Sequence, residues 1–335
     1  RTRVQERLDT CSNKDYYKRL NPGDEIIIPS LTWSTSVWPI VQYGMIPNFV
    51  DCDTSTLNLD TDLIIKAINS KTKAIMAVSI YGNPCNFDVL QDICKKYNLL
   101  LIEDSCESMG AKYRNKFVGS FGLISSFSFY FSHHITTLEG GMCVTKSEEL
   151  AELMTIIRAH GWIRQIKNKK KYIEKFPDFD PKFLFVNEGY NLRITEPQAS
   201  MGIIQLKKLF KFINSRKKNA QFFLKKLSKY ENYLSFQKET KNGSHSWFGF
   251  IIIVRENSKF DRKQLCDYLN ENGIETRVIV AGDLSKQPGM KLFPHKISGN
   301  QANSNLVMKN GFSIAVHQSL CDESKDYTVK IFDKF

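Results

Sequence analysis

The sequence predicts an α/β fold: a mostly parallel sheet with helices on both faces, followed by a smaller α+β unit. Three observations predict it. In the first half, short apolar runs alternate with amphipathic stretches; two of those runs end in acids (FVDCD, LLLIEDS); and after Tyr190 the alternation gives way to long helix and then to new strands. Strand–helix alternation builds a parallel sheet covered on both sides, and ligands of such sheets gather at the carboxyl ends of the strands.

In chain order, GDEIIIPS is a short buried strand running into a turn, and SVWPIVQYG has helical spacing in spite of its proline. MIPNFVDCD reads as a strand, TDLIIKAINS as an amphipathic helix, KAIMAVSIYG as a strand, DVLQDICKKYN as a helix and LLLIEDS as a strand. SSFSFYF and GGMCVTK are two further strands, and SEELAELMTIIRAHG is a helix capped by its serine. Thr195 to Tyr230 forms one or two long helices; then come SWFGFIIIV (strand), DRKQLCDYLNENG (helix ending in Gly) and IETRVIV (strand). The division falls within the long helix, near residues 205–230, giving a large unit over 1–205 and a small one over 206–335.

Composition narrows the class. No apolar stretch approaches the ~20 residues of a membrane helix, and the first residues lack the apolar core of a signal peptide, so the expected setting is the cytoplasm. The net charge of +12 owes much to KNKKKYIEK and SRKKNAQFFLKK. An anionic partner suits it, as does a merely solvated lysine surface; no nucleic-acid module is recognisable. The eight cysteines contain no C-x-x-C pair, which speaks against a metal or iron–sulfur centre and against a disulfide framework.

Two stretches carry chemistry. LLLIEDSCES brings Glu103 and Asp104 to the end of a buried strand, where a bare carboxylate is costly and needs a partner. A helix cap or salt bridge answers that need; so does a cationic ring nitrogen, as in pyridoxal phosphate enzymes. SFYFSHHITTLEGG places His133 and His134 together at a strand end, pointing to opposite sides, so at most one faces a given pocket and a metal site built on both is not expected. A core histidine is the plain alternative for either.

Taken in order, PSLTWSTSVWPI, FVDCD, VSIYGNPCNFD, IEDSCESMGAKY, SFSFYFSHHITTLEGG, RAHG and GYNLRITEPQASMG resemble the DegT/DnrJ/EryC1/StrS family of sugar-modifying enzymes. The resemblance runs from Pro22 through most of the chain, and SWFGF and GIETRVIVAGD fit the family's small domain. It implies the pyridoxal-phosphate fold type I, with an aspartate-aminotransferase-like large domain. Aminotransferases of the family hold the cofactor through a lysine five residues after the serine of the SF motif; counted from Ser128 that position is His133, and no lysine lies between Phe117 and Lys146.

A histidine there resembles a small branch of nucleotide-sugar 3-dehydratases that use pyridoxal and pyridoxamine phosphate. The branch's CDP-sugar type adds an iron–sulfur cluster through extra cysteines, and HGWIRQIKNKKKYIEKF has none. The cluster-free GDP-sugar type fits better. The implied reaction removes the 3-hydroxyl of a nucleotide-linked 4-keto-6-deoxy sugar, releases ammonia and regenerates pyridoxamine phosphate from L-glutamate. Three alternatives stand beside it: the CDP-type dehydrase, a lysine-less homologue without dehydratase activity, and a basic nucleic-acid-binding regulator carrying such a domain, for which no DNA-binding segment is visible.

By position, the resemblance makes His133 the acid/base, with an ordinary imidazole pKa suited to both roles near neutrality. Asp104 pairs with the pyridinium nitrogen, Glu107 lies by the ring hydroxyl or substrate, Trp33 stacks on the ring and Ser128 binds the phosphate. Asn191 reaches the phosphate of a second subunit in a homodimer. His160, Arg277 and His134 are weaker substrate candidates, and His134 faces the core or backs the site. The family's phosphate loop before GDEIIIPS has no counterpart in RTRVQERLDTCSNKDYYKRL. Lipopolysaccharide or capsule sugar synthesis is the implied setting.

Overall fold

The computed structural model describes residues 20–335; the expected phosphate loop and Cys11 lie outside them. In chain order the elements are β1 (Glu25–Pro29), α1 (Ser34–Gln42), β2 (Ile46–Val50), α2 (Thr61–Ala67), β3 (Thr72–Val78), α3 (Phe87–Tyr97) and β4 (Leu100–Asp104). Next come β5 (Lys112–Tyr113), β6 (Lys116–Phe117), β7 (Ile124–Ser128), β8 (Gly141–Val144), α4 (Glu148–Arg158), α5 (Lys170–Lys175) and α6 (Glu196–Leu227). The chain ends with β9 (Leu234–Phe236), β10 (Gly243–Ser244), β11 (Phe250–Val254), α7 (Arg262–Glu271), β12 (Lys296–Ser298), α8 (Ala302–Asn310), β13 (Gly311–Ile314) and α9 (Asp322–Lys334).

The central sheet has seven strands in the order β12-β2-β1-β3-β4-β7-β8. All its pairings are parallel except β7 with β8. Every residue of β1 is buried, as a strand covered on both faces requires. Its side chains alternate: Ile27 packs with Ile64, Phe87 and Leu90 on one face, while Ile26 and Ile28 pack with Val37, Ile40 and Phe49 on the other. A second core gathers Phe223, Phe250, Leu269 and Phe312 around the antiparallel sheet β13-β11-β9.

Several expectations are corrected. IETRVIV forms no strand; Arg277 makes only an isolated bridge to Ser313, because its stretch lies against the end of β13 as irregular chain. SSFSFYF stops as a strand at Ser128, and SWFGFIIIV begins pairing only at Phe250. His133 and His134 therefore lie in irregular chain beyond β7, not at a strand end with alternating faces. As expected, Thr195–Tyr230 is long helix, a single one of 32 residues opened by a reciprocal cap between Thr195 and Gln198. β12, from the C-terminal part of the chain, pairs with β2 in the central sheet.

Candidate active site

The carboxyl ends of β1, β3, β4 and β7 converge on one place. Beyond β1 the chain turns through Thr32 into α1, whose N-cap is Trp33 in extended conformation; the indole remains 56% exposed, so it presents a face rather than filling the core. In the first turn of α1 the Ser36 hydroxyl donates to Asp104 at 2.6 Å, and Thr32 donates to Ser36 at 3.0 Å. The Cys106 N–H donates to the other Asp104 oxygen at 3.1 Å. Asp104 is thus fixed from two sides and keeps lone pairs for a further donor. Strand alternation sends Glu103 the other way, into a nest of three N–H groups from Gly119, Phe121 and Gly122. Burial, followed by the Asp104 charge, drives the Cys106 thiol far above its usual range.

His133 sits partly buried after β7, with its Nδ1 enclosed and lacking a hydrogen-bond partner. The Phe248 ring lies 5.1 Å from it, centroid to centroid. Burial lowers the imidazole to about 4; the Asp104 carboxylate opposes that fall and the Arg216 guanidinium adds to it. An imidazole of ordinary pKa, as expected from the sequence, would be equally ready to give or take a proton. The enclosed ring is instead a neutral base at pH 7. Its neighbour His134 is fully buried and donates through Nε2 to the Ser246 carbonyl at 3.0 Å.

Glu107 accepts the Tyr81 N–H at 2.7 Å. Burial pushes its carboxyl up to about 8, with the Tyr81 N–H opposing and the Asp104 charge adding to the rise, so it carries its proton at neutrality. Tyr81 itself has φ of 55° and lines a cleft of about 260 Å³ with Phe131, Ser132, Arg216, Phe248 and Arg277. Arg277 is held by Glu275 at 2.9 Å. The Ser128 hydroxyl accepts the Tyr130 N–H at 3.2 Å, leaving its proton free for an acceptor.

Trp33, Asp104, Glu107, His133, His134 and Arg277 are brought to this region. Asn191 and His160 are not tied to it. They form an exposed group with Arg193, which bridges the Asn191 oxygen at 3.3 Å and the His160 ring at 3.4 Å.

Sequence reasoning missed Ser36, Tyr81, Phe248 and Arg216. Ser36 stands three residues after the flagged Trp33, one helical turn on, and that spacing was a usable signal. Arg216 was hidden inside a lysine-rich helix that reads as solvated surface. It is 2% exposed, and burial lowers its guanidinium to about 10.

The mostly parallel seven-stranded sheet is that of pyridoxal phosphate fold type I, and the chain belongs to the DegT/DnrJ/EryC1/StrS aminotransferase family, whose profile matches residues 17–333. Within it, the chain is 44% identical over 312 residues to GDP-4-keto-6-deoxy-D-mannose 3-dehydratase of Escherichia coli O55:H7, covering 92% of this chain and 80% of that protein. Two solved structures of GDP-4-keto-6-deoxymannose-3-dehydratase superpose closely. A histidine-to-asparagine mutant with bound GDP-perosamine gives a TM-score of 0.89 at 42% identity, over 97% of this chain and 84% of that one. A form with a trapped PLP–glutamate geminal diamine gives 0.84 at 42% identity, over 93% and 81%. Among the described residues no helix is long and apolar enough to cross a membrane.

Proposed function

We propose that the chain is a pyridoxal-phosphate-dependent 3-dehydratase of a GDP-linked 4-keto-6-deoxy sugar, forming a 4-keto-3,6-dideoxy sugar and ammonia with glutamate as the amino donor. The observation that carries this reading is His133: an enclosed, neutral imidazole at the position where aminotransferases of the family keep lysine.

The site fits the cofactor. The unused lone pairs of Asp104 suit a ring N–H, the exposed Trp33 indole suits the ring's face, and the free Ser128 proton suits a phosphate oxygen. Bound as its amine form, the cofactor supplies the nitrogen that condenses with the 4-keto group and an electron sink for the sugar. His133 takes the proton from the cofactor's 4′-carbon and hands it to the departing 3-hydroxyl, one ring serving as base and then acid. Because the base form dominates at pH 7, the ring becomes an acid only after it has taken that proton. Glu107, protonated, donates toward the cofactor's ring hydroxyl or the substrate, and Arg277 offers a cation at the cleft wall for a carboxylate or phosphate. Histidine at position 133 offers no amine to displace the product, so the nitrogen would leave with the sugar, to be freed as ammonia by hydrolysis, and glutamate would be needed to restore the cofactor's amine form.

The site is completed by a second copy, whose Asn191 reaches the bound phosphate, with His160 beside it on the substrate side. Their exposure, apart from the rest of the site, supports that arrangement. The test is mass spectrometry of products from GDP-, CDP- and dTDP-linked 4-keto-6-deoxy sugars with glutamate and cofactor. Loss of the 3-hydroxyl with ammonia release is expected, greatest for the GDP-sugar. An aminated sugar, or none altered, overturns the reading; a preference for CDP overturns the nucleotide.

A further inference from the structure

His134 has no task in the chemistry above, yet it is among the most buried polar residues of the chain, at 1% exposure. Its bond to the Ser246 carbonyl fixes the tautomer, since a carbonyl only accepts: Nε2 carries the hydrogen, and Nδ1 is left enclosed without a partner. Losing water without gaining a partner, such an orphaned buried atom carries a cost. A leucine would fill the space without it; what leucine would lose is the tie to Ser246.

Arg216 makes the same choice on the same segment. It donates to the Trp247 and Phe248 carbonyls at 3.2 and 3.0 Å and to Gln318 at 3.0 Å, all neutral oxygens. Three consecutive carbonyls, of Ser246, Trp247 and Phe248, are therefore held by one imidazole and one guanidinium. From the opposite side the Ser246 and Phe248 N–H groups donate to the Gly82 and Tyr81 carbonyls at 2.9 and 2.7 Å. Trp247, at the centre, has φ of 55°, a conformation that persists in a bulky residue only when its surroundings impose it. The segment ends in the Phe248 ring, which packs against His133 at 5.1 Å, His134 at 6.1 Å and Tyr81 at 5.5 Å.

We propose that His134 is a positioning residue for His133: with Arg216 it clamps the Ser246–Phe248 segment, and the clamped Phe248 ring sets the orientation and enclosure of the His133 imidazole. The proposal rests on His133 being the acid/base. The charged and titratable groups around the pair are Asp104 and Arg216 for His133, and Arg216, His133 and His245 for His134. Being wholly enclosed, His134 acts through its hydrogen bond and not by carrying a proton.

The test compares His134→Leu, His134→Gln and Phe248→Ala with the wild-type holoenzyme. Glutamine keeps an N–H near the reach of Nε2; leucine keeps only the volume; alanine at 248 removes the ring and leaves the carbonyl anchors. Carbethoxylation of His133 by diethyl pyrocarbonate, mapped by peptide mass spectrometry, reads enclosure of that ring without substrate. Steady-state kinetics read kcat and KM. His134→Leu should speed labelling of His133 and lower kcat ~10–100-fold with KM unchanged, the size of effect expected from a misplaced catalytic group. His134→Gln should restore most of both, and Phe248→Ala should reproduce the faster labelling.

Unchanged labelling in His134→Leu or in Phe248→Ala overturns the proposal, as does a glutamine variant no better than leucine. A wild type that releases no ammonia from any substrate overturns the dehydratase reading instead, and leaves the labelling comparison standing.

Discussion

At the scale of single residues, the environment of His133 sets its pH behaviour. Burial holds the ring near 4 rather than 6.5, so the base form is lost only in acid. The acid limb of kcat/KM should fall well below the 6.5 of a free imidazole, and a limb near 6.5 would remove His133 from the base role. His133→Asn should lower ammonia release at least ~100-fold, with cofactor absorbance of the purified protein unchanged. Glu107 behaves oppositely. Its folded value lies above its unfolded one, so its contribution to stability is fully present below 4.5 and is lost as pH rises through about 8. Glu107→Gln cannot ionise and keeps an acceptor for the Tyr81 N–H. In thermal melts of the cofactor-free protein the variant should lose less stability than wild type across that window; parallel losses would place the ionisation elsewhere.

At the scale of elements, the critical join is between the turn after β3 and the segment before β11. Gly82 has φ of +94°, and a Cβ there would stand 2.6 Å from Ser246 Oγ and 2.8 Å from the Trp247 nitrogen. The second contact is backbone and cannot swing aside. Gly82→Ala should therefore destabilise the protein by about 2 kcal/mol or more, measured by denaturant unfolding, and should loosen the face that Phe248 presents to His133. This join was not legible in the sequence. The helices and parallel strands were, because their signals are local: β1 is a bounded apolar run, and α4 begins at a serine whose hydroxyl accepts the Leu150 N–H. The count from Ser128 singles out His133 only through the family resemblance. The partners that define its chemistry, Phe248 and Arg216, come from distant parts of the chain, and no periodicity links positions brought together only by tertiary packing. IETRVIV shows the reverse failure: β-branched residues wrote a strand pattern where the chain has irregular structure, since pairing with a neighbour decides strandedness more than propensity does.

At the scale of the whole molecule, one face of the described residues exposes several large apolar side chains. Ile203, Ile204, Leu206 and Phe210, on the first half of α6, and Leu138, on the loop after the paired histidines, are each more than half exposed. That loop packs on the same helix, where Gln198 donates to the Glu139 carbonyl at 3.0 Å and Gly202 lies against Thr137. The exposed apolar side chains of the loop and of the helix therefore lie on neighbouring elements. Patches beyond a few hundred Å² mark interaction sites, and a two-fold pairing of this face would bury it against itself. The second half of α6 carries Ile213, Arg216, Ala220 and Phe223 into the protein, so one helix would link the subunit contact to the residue that anchors Phe248. Wild type is expected to sediment as a dimer. The double change Ile203→Asp with Leu206→Asp should shift it to the monomer. Both positions are exposed, so the fold should survive, as circular dichroism would show. Activity should fall with the dimer fraction, and cofactor affinity with it, because Asn191 of a second copy would no longer reach the phosphate. A monomeric wild type, or a monomeric variant with full activity, would remove the shared site from the mechanism.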